Sequence, residues 1–409
     1  MTKDAARDSK APELFSKEML PDPYRVYADL RRERPLYWDD ELGGWVASRY
    51  AEATAILKDR RFSSNRVAGV RDRFADPELA PLFDTLSLLM VQRDGADHDR
   101  LRRLVQQAFG RTAVERYAPR IEAIVDTLLG AALARGHMEF VRDLAVPLPI
   151  RVISQIVGIP EVDRLQVKTW CDDFSLAALN FYARITEAEL RRGAESVRAF
   201  KAYLAERAAV LRAAPDDSLL AGLVLAEVEG SRLAMDELLA NVLLLLNAGN
   251  ETTTGLLANG LLALLQHPDQ LQRLRQDPSL VPQAVEEFLR FDAPVQFLAR
   301  VAREEIAIGG QRLAAGDLVF VLLGSAGRDE AHFEHPDRLD VGRTRNRHLA
   351  FGSGTHVCTG LQLARLEARI AFTRVLELLP AFALDPEPLQ RQANFNLRCP
   401  ARLPLRLAA

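Results

Sequence analysis

One stretch near the carboxyl end decides how the whole chain is interpreted: Phe351-Gly352-Ser353-Gly354-Thr355-His356-Val357-Cys358-Thr359-Gly360. It places a single cysteine on a glycine-rich loop, directly before an apolar pattern of helical period. A helix amino terminus carries unpaired N–H groups and a partial positive charge, and both favour a thiolate over a thiol. Because Gly352, Gly354 and Gly360 have no Cβ, a flat group can approach this backbone closely. The segment predicts a thiolate that acts as a nucleophile or as a metal ligand.

Composition excludes several other classes of protein. Of the 409 residues, 48% are hydrophobic and 27% are charged, which is typical of a globular protein with a large core. The net charge of −3 offers no basic bias, so no nucleic-acid partner is expected. The three cysteines lie far apart and cannot staple a secreted fold. With a polar amino terminus and no apolar run of about 18 residues, the sequence predicts a cytoplasmic protein without a membrane span.

Helical periodicity dominates the chain, and the strand patterns are short. Helices are predicted over residues 22–34, 51–58, most of 98–213, 236–266, 284–291 and about 360–378. Strands are predicted at residues 36–38, 44–47, 306–308 and 318–322. Residues 62–92 lack a steady period and are predicted to form a long loop. No repeat or Gly/Ser linker divides the sequence, so we expect a flexible tail over 1–12 and a single large domain over 13–409. Its predicted class is mainly α (α+β), with small β-sheets.

A second informative segment is the helix predicted over residues 236–266. From Leu238 onward it carries one charged residue, Glu251, so it is expected to be buried. Its middle, residues 247–254, is too polar for a lipid core. A carboxyl and hydroxyls inside a protein core cost free energy unless they have partners or a task. The residues alone leave two interpretations open, which are a functional site and threonines bonded back to the preceding turn.

Three shorter patterns are weak on their own. Glu287 and Arg290 are three residues apart, and His98 and Arg102 are four apart, so each pair shares a helix face. Most such pairs lie on solvated surfaces and stabilise little. Arg300 falls in a segment of strand character.

The cysteine segment resembles the haem-binding loop of the cytochrome P-450 family, whose pattern is Phe-x-x-Gly-x-His-x-Cys-x-Gly. Every fixed position of that pattern is filled here, by Phe351, Gly354, His356, Cys358 and Gly360. The resemblance implies that Cys358 is the axial thiolate of haem b, iron protoporphyrin IX. It also implies that Phe351 shields the sulfur and that His356 meets a haem propionate, with Gly352 and Gly360 close to the haem.

The middle of the 236–266 helix is similar to the oxygen-binding helix of the same family. There a small residue and a glycine precede an acid and a threonine, and Ala248, Gly249, Glu251 and Thr252 match them. The resemblance implies that Thr252 hydrogen-bonds the reacting O₂ and that Glu251 admits protons through water. Gly249 would leave room where the helix can open. The haem is expected between this helix and the helix that follows the cysteine.

The resemblance assigns roles to the remaining candidates. The residues implied to hold the haem propionates are His98, Arg102 and Arg300. The residues implied to lock the chain before the cysteine, in a structural role, are Glu287, Arg290 and Arg343. The residues implied to line the substrate pocket are Leu244, Asn247, Ala248, Val295, Phe297 and Phe395. Asn247 is polar where an apolar residue is more usual, which indicates a hydrogen bond to substrate or to water.

The function implied by the resemblance is that of a haem monooxygenase. It would insert one oxygen atom from O₂ into a lipophilic small molecule, by hydroxylation or epoxidation, as in secondary metabolism. Electrons are expected from a ferredoxin and its reductase, since the sequence carries no flavin or iron–sulfur motif. The ferredoxin is predicted to dock where positive charge gathers, and the protein is expected to act as a monomer. The arginines predicted to supply that charge are Arg100, Arg103, Arg345 and Arg365.

Three alternatives compete with this interpretation. Peroxide-driven members of the family lack the acid–alcohol pair, so Glu251 and Thr252 argue against that activity. A cysteine-nucleophile hydrolase needs a base near Cys358, which His356 could supply, but it leaves the polar helix unexplained. A non-catalytic haem-binding or zinc protein is the third. Its metal candidates are His332 and His335, although the family has a loop there too.

Overall fold

The computed structural model describes residues 14–67, 76–180, 185–225, 227–228, 231–232, 234–379, 381–385 and 388–407. The chain divides into two compact units. The first unit contains residues up to Ser63, Ala118–Leu148 and the residues from Thr252 onward. The second unit contains Ser64–Tyr117 and Pro149–Glu251. The tail predicted over 1–12 lies outside the described residues, and the single domain over 13–409 stays a prediction.

Helices make up most of the described chain, which confirms the mainly α class. They are α1 (Tyr24–Glu33), α2 (Tyr50–Lys58), α3 (Ala80–Leu88), α4 (Gly95–Phe109), α5 (Arg111–Glu115), α6 (Ala118–Arg135), α7 (Pro147–Val157), α8 (Arg164–Asn180), α9 (Glu187–Ala213), α10 (Leu219–Leu225), α11 (Met235–Gln266), α12 (Pro268–Gln276), α13 (Val281–Phe291), α14 (Leu323–Ala326) and α15 (Leu361–Leu378). The helices that the apolar periodicity predicted begin and end within a few residues of their predicted bounds. Among the described residues, no helix combines the length and apolar character of a membrane span.

The prediction of one long loop over residues 62–92 is wrong, because α3 lies within it. Asp76 begins the preceding turn, and its carboxylate accepts a hydrogen bond from the Glu78 backbone N–H at 2.9 Å. α3 then buries Leu82 and Leu86, which are one helical turn apart. Its 9 residues are too few for an apolar period to stand out in the sequence.

Short strands complete both units. They are β1 (Leu36–Asp39), β2 (Gly44–Ala47), β3 (Phe62–Ser63), β4 (His137–Glu139), β5 (Glu227–Val228), β6 (Ser231–Arg232), β7 (Phe297–Ala302), β8 (Ile306–Ile308), β9 (Gln311–Leu313), β10 (Leu318–Leu322), β11 (Phe382–Leu384) and β12 (Pro404–Leu407). The first unit contains a five-stranded sheet in the order β1-β2-β10-β7-β3 and a three-stranded sheet in the order β11-β12-β4. β1 and β2 form the predicted hairpin, in which Tyr37 lies opposite Val46. The three-stranded sheet was missed, because its strands are short and pair across distant parts of the chain.

The core of the first unit brings α11, α13 and α15 together. A Cβ on Gly260 of α11 would lie 2.7 Å from the ring of Phe288 on α13 and 2.7 Å from the ring of Phe372 on α15. The two rings themselves pack with centroids 4.9 Å apart. Close packing of this kind leaves little freedom for the helices to shift. It therefore fixes the position of α15, which directly follows the cysteine segment.

A buried cluster of charges joins α1 to the carboxyl-terminal part of the first unit. Asp292 accepts hydrogen bonds from the Tyr24 hydroxyl at 2.7 Å, from Arg398 Nε at 2.7 Å and from Arg391 Nη2 at 3.1 Å. Burial by itself opposes ionisation, but the two arginines hold the pKa of Asp292 below its ordinary value. The carboxylate is thus charged, buried and fully partnered, so its loss leaves two buried cations without their counter-ion.

Asp292→Asn is expected to lower the free energy of unfolding by about 3–5 kcal/mol, because breaking a buried ion pair leaves an uncompensated charge. Urea unfolding measures the loss. The matched control is Asp59→Asn, which breaks the exposed pair with Arg61 and is expected to cost at most about 1 kcal/mol. Equal losses in the two variants would contradict the assignment of Asp292 as the centre of this cluster.

Candidate functional site

The Cys loop, defined here as residues 351–360, is shaped by two glycines in the left-handed region. Gly352 and Gly354 have φ angles of +72° and +75°, which residues with a side chain rarely adopt. A Cβ on Gly354 would also clash with the backbone oxygen of Leu57. The loop is closed by the backbone N–H of Cys358, which donates to the Phe351 carbonyl oxygen at 2.9 Å. The glycines and this hydrogen bond together fix the position of Cys358.

Cys358 differs from the other two cysteines in its exposure. Cys358 is exposed, whereas Cys171 and Cys399 are buried. Gly360 is the N-cap of α15, so the sulfur stands beside a helix amino terminus, where a thiolate is favoured. A Cβ on Gly360 would meet no atom within 4 Å, and His356 is half-buried. An accessible sulfur beside open space fits a flat cofactor that takes a thiolate ligand.

α11 is buried along most of its length and accessible at a single turn. Between residues 238 and 264, every position is buried apart from Ala248, Gly249, Glu251 and Thr252. These are the four positions that the sequence analysis assigned to oxygen chemistry. A helix that served only as core would bury them with the rest. The carboxyl of Glu251 and the hydroxyl of Thr252 therefore belong to the partly accessible turn within the buried stretch of this helix.

Two predicted residues of α11 also have tasks within the second unit. A Cβ on Gly249 would lie 3.1 Å from Ile153 Cγ1, so the glycine allows α7 to approach closely. The Asn247 side-chain amide donates to the Cys171 carbonyl oxygen at 3.0 Å and is buried. This N–H therefore holds α8 to α11. The hydrogen bond from Asn247 to substrate or to water stays a prediction. Room for α11 to open at Gly249 stays a prediction.

Glu251 lies in a polar cluster with residues of α8. The Ser175 hydroxyl donates to Glu251 Oε2 at 2.8 Å, and Lys168 pairs with Asp172 at 2.6 Å. Burial raises the pKa of Glu251 to about 7; Asp172 also raises it, and Ser175 and Lys168 lower it. A carboxyl with that pKa can both give and take a proton near neutral pH. Ser175 was missed in the sequence analysis, because a lone serine on a helix matches no motif.

The predicted propionate residues belong to separate units. In the second unit, His98 is almost fully buried on α4, and its Nδ1 lies 3.1 Å from Asp99 Oδ1, while Arg102 is half-buried. In the first unit, Arg300 is 5% exposed on β7, and its Nη1 donates to the Ala299 carbonyl oxygen at 2.8 Å. Arginine is well suited to paired contacts with carboxylates. The contacts of these residues with haem stay predictions.

The ion pair predicted on α13 is buried and has further partners. Glu287 and Arg290 lie 2.7 Å apart with both side chains inaccessible, and Arg343 Nε lies 3.1 Å from Glu287. Asn346 Nδ2 also donates to Glu287, at 3.1 Å. The three predicted residues are therefore in contact, and the segment containing Arg343 and Asn346 is tied to α13. Asn346 was missed because a loop asparagine carries no pattern.

The two aromatic residues predicted for the substrate pocket both lie near the ring of Phe15, and their contact with a substrate stays a prediction. Phe297 is 3% exposed and stacks on Phe15 with centroids 4.4 Å apart. The Phe395 ring lies 6.4 Å from the same Phe15 ring. Phe297 is therefore a core residue, because alternation along β7 turns its ring toward the packed face. Leu244 is buried on α11, and Val295 is half-buried beside β7.

The predicted docking arginines do not form a set of unopposed positive charges. Arg100 pairs with Glu237 at 2.7 Å in the second unit, and Arg365 pairs with Glu286 at 2.7 Å in the first. The exposed members of the set are Arg103 and Arg345. Arg100 and Arg365 thus each have an acidic partner, and the docking of a ferredoxin at these four arginines stays a prediction.

The histidines considered as metal ligands are accounted for differently. The His332 ring stacks on Tyr50 with centroids 3.4 Å apart, and His335 is largely exposed. Within the described ranges, no group of three or more histidine, cysteine or acidic side chains is arranged to hold a metal ion. Aromatic stacking explains the position of His332 without a metal.

Comparisons with known proteins agree with this site. A family model described as cytochrome P-450 matches residues 176–398. The chain is 38% identical over 396 residues to the biotin biosynthesis cytochrome P-450 of Bacillus subtilis (strain 168), which covers 95% of this chain and 97% of that protein. It is 37% identical over 376 residues to the vitamin D(3) 25-hydroxylase of Pseudonocardia autotrophica, covering 91% and 90%. The solved structure of P450BioI in complex with hexadec-9Z-enoic acid ligated acyl carrier protein has a TM-score of 0.91 at 36% identity, covering 96% and 100%.

The helical fold and the exposed thiolate loop define a haem-thiolate protein. The chain belongs to the cytochrome P-450 family. It is a monooxygenase, and its cofactor is haem with an axial cysteine thiolate. The predicted family, fold class, enzyme class and cofactor are confirmed.

The raised pKa of Glu251 can be tested by measuring the stability of the protein at several pH values. Folded Glu251 keeps its proton up to about pH 7, whereas the ordinary value is 4.5, so the folded state binds more protons in this window. The free energy of unfolding therefore falls as pH rises from 4.5 to 7, by on the order of 3 kcal/mol from this group. Glu251→Gln is expected to remove that fall. Urea unfolding at several pH values measures it.

Ser175→Ala is the matched variant. It removes the hydrogen bond that lowers the pKa of Glu251, so the fall is expected to continue to a higher pH than in the parent. The difference between parent and Glu251→Gln isolates this group from others that titrate in the same range. A difference that does not depend on pH would contradict the assignment.

Proposed function

We propose that this cytochrome P-450 inserts one oxygen atom from O₂ into a lipophilic small molecule, by hydroxylation or epoxidation. A ferredoxin and its reductase supply the electrons, and the enzyme works as a cytoplasmic monomer. The observation that carries the proposal is the accessible turn of α11, which offers Glu251 and Thr252 on an otherwise buried helix. A lipophilic substrate is supported by two relatives, one named for vitamin D(3) 25-hydroxylation and one solved in complex with hexadec-9Z-enoic acid ligated acyl carrier protein.

The proposed haem site uses residues from segments that are remote from one another in the sequence. Cys358 provides the thiolate, and the amino terminus of α15 favours its charged form. When bound, the haem supplies the activation of O₂. The residues proposed to hold its propionates are His98, Arg102, Arg300 and His356. The residues proposed to lie against the ring are Phe351, Gly352, Gly360, Ala248 and Gly249.

Two side chains of α11 are proposed to manage protons and oxygen. Glu251 takes a proton and releases it near neutral pH, because burial raises its pKa to about 7. Lys168 and Asp172 are partly accessible, and with Ser175 they connect Glu251 to the surface of the second unit. Thr252 is proposed to donate a hydrogen bond to the reacting O₂.

Cys358→Ser tests the haem ligand. Since a serine hydroxyl does not replace a thiolate, the variant is expected to lose both activity and the thiolate–haem band of the reduced, carbon-monoxide-treated protein. The matched control is Cys399→Ser, which changes a buried cysteine whose thiol donates to the Pro400 carbonyl oxygen at 3.2 Å. The control is expected to keep the band. A parent protein that stays colourless after reconstitution with haemin would refute the proposal.

Thr252→Ala tests oxygen activation. The variant is expected to bind haem and substrate but to divert electrons into hydrogen peroxide, lowering product per electron pair by on the order of ten-fold. Hexadec-9Z-enoic acid is the first substrate to try, with product, peroxide and nicotinamide consumption measured together. The matched control is Thr254→Ala, whose parent hydroxyl donates to the Ala145 carbonyl oxygen at 2.9 Å.

The control is expected to lower stability by about 1 kcal/mol and to leave coupling unchanged. If Thr252→Ala couples electrons to product as well as the parent does, the role of Thr252 is wrong. If hydrogen peroxide alone supports full turnover in the parent and in Thr252→Ala, the enzyme is a peroxide-driven oxygenase instead.

A further inference from the structure

A second carboxylate of α13 binds two side chains that flank the Cys loop. Glu286 accepts from Arg365 Nε and Nη2 at 2.7 Å each, one bond to each carboxylate oxygen. His348 Nε2 lies 3.2 Å from Glu286 Oε2. Burial alone opposes ionisation, but the hydrogen bonds from His348 and Arg365 lower the pKa of Glu286 to about 2. Glu286 is thus a fixed negative charge that holds both partners.

Both partners of Glu286 contact the ring of Phe351. The Arg365 guanidinium carbon lies 4.8 Å from the ring centroid, within the range of a cation–π interaction. The His348 ring centroid lies 5.8 Å from that of Phe351, at an interplanar angle of 46°. The His348 side chain is 3% exposed. Phe351 is therefore in contact with two side chains, and both of these are bound by the carboxylate of Glu286.

The backbone carries this constraint to the cysteine. The Cys358 N–H donates to the Phe351 carbonyl oxygen at 2.9 Å, so the two ends of the loop are joined. The Ala350 N–H donates to His348 Nδ1 at 3.2 Å, which also fixes the residue before Phe351. Both ring nitrogens of His348 therefore have a partner, Nδ1 the Ala350 N–H and Nε2 the Glu286 carboxylate.

The two adjacent acids of α13 hold different segments. Glu287 binds Arg343 and Asn346, which precede the loop, whereas Glu286 binds one residue before the loop and one residue after it. Adjacent positions on a helix point in different directions, so one helix can anchor both segments. The two partners of Glu286 in turn contact the Cys loop, at the ring of Phe351.

We propose that Glu286, His348 and Arg365 form a clamp on Phe351 that positions Cys358 as the haem ligand. These are positioning residues, since they act through Phe351 and touch no reacting atom. The inference rests on the proposed ligation of haem by Cys358 and goes beyond it by naming the side chains that keep the sulfur in place. We call this set the Phe351 clamp.

The test uses haem-loaded protein and graded variants. His348→Leu removes both hydrogen bonds of the imidazole, whereas His348→Gln keeps an amide N–H that can reach Glu286. Arg365→Lys keeps the charge and loses the two-pronged contact. The matched control is Arg374→Gln, on the same helix, which breaks a 2.6 Å pair with Asp126.

Three quantities are measured on each variant: the thiolate–haem band of the reduced, carbon-monoxide-treated protein, the reduction potential of the iron, and the urea midpoint. In His348→Leu and Arg365→Lys, the band is expected to decay on standing on the order of ten-fold faster than in the parent, the size usual when partners of metal ligands are removed. His348→Gln is expected to restore most of the lifetime. Arg374→Gln is expected to keep the band and the potential of the parent.

Two results would overturn the clamp. One is a band lifetime and potential in His348→Leu and Arg365→Lys that match those of Arg374→Gln. The other is a loss of the band that only follows a lower urea midpoint and that His348→Gln does not repair. If His348→Leu fails to fold, Arg365→Lys decides between the outcomes. A parent without the thiolate band would instead refute the proposed function, so the two failures are distinguishable.

Discussion

The constraint on which the site depends is a cysteine, Cys358, that is exposed and yet held in place by its loop. A loop that exposes Cys358 has little packing of its own, so its position must come from its ends. The loop is closed by the hydrogen bond from the Cys358 N–H to the Phe351 carbonyl oxygen, and α15 begins directly after it. α15 is in turn fixed by close packing at Gly260 of α11. The helical core thereby determines where the thiolate stands.

Two buried carboxylates, Glu287 and Asp292, also determine how the chain packs. The free-energy cost of burying each charge is offset by several hydrogen-bonding partners. Glu287 binds Arg290, Arg343 and Asn346, and Asp292 is bound by two arginines and a tyrosine. Such clusters are costly to break, because a single substitution leaves uncompensated charge in the core. Apart from Arg290, the partners of these two acids lie far from them in the sequence. They therefore specify which segments meet as much as they stabilise the fold.

Glu251 shows how the same physics serves chemistry. Burial is the largest influence on its carboxyl and raises its pKa to about 7, although Ser175 and Lys168 act in the opposite direction. Glu286 is also partly buried, yet its contacts with Arg365 and His348 lower its pKa to about 2. The chain thus places one carboxyl where it can exchange protons and another where it stays ionised, and the difference lies in the neighbours.

The sequence by itself determined the glycine pattern of the Cys loop, the place of Glu251 and Thr252 in the middle of α11 and the shared helix face of Glu287 and Arg290, because each is a short pattern of fixed spacing along one segment. Only the tertiary structure decided which partners those residues meet. The bond from Ser175 to Glu251, the clamp on Phe351 and the packing of Phe297 on Phe15 join segments remote in sequence. Local spacing sets the period and the face of a helix or strand, but a contact across the fold depends on how all the segments pack, which no single stretch encodes.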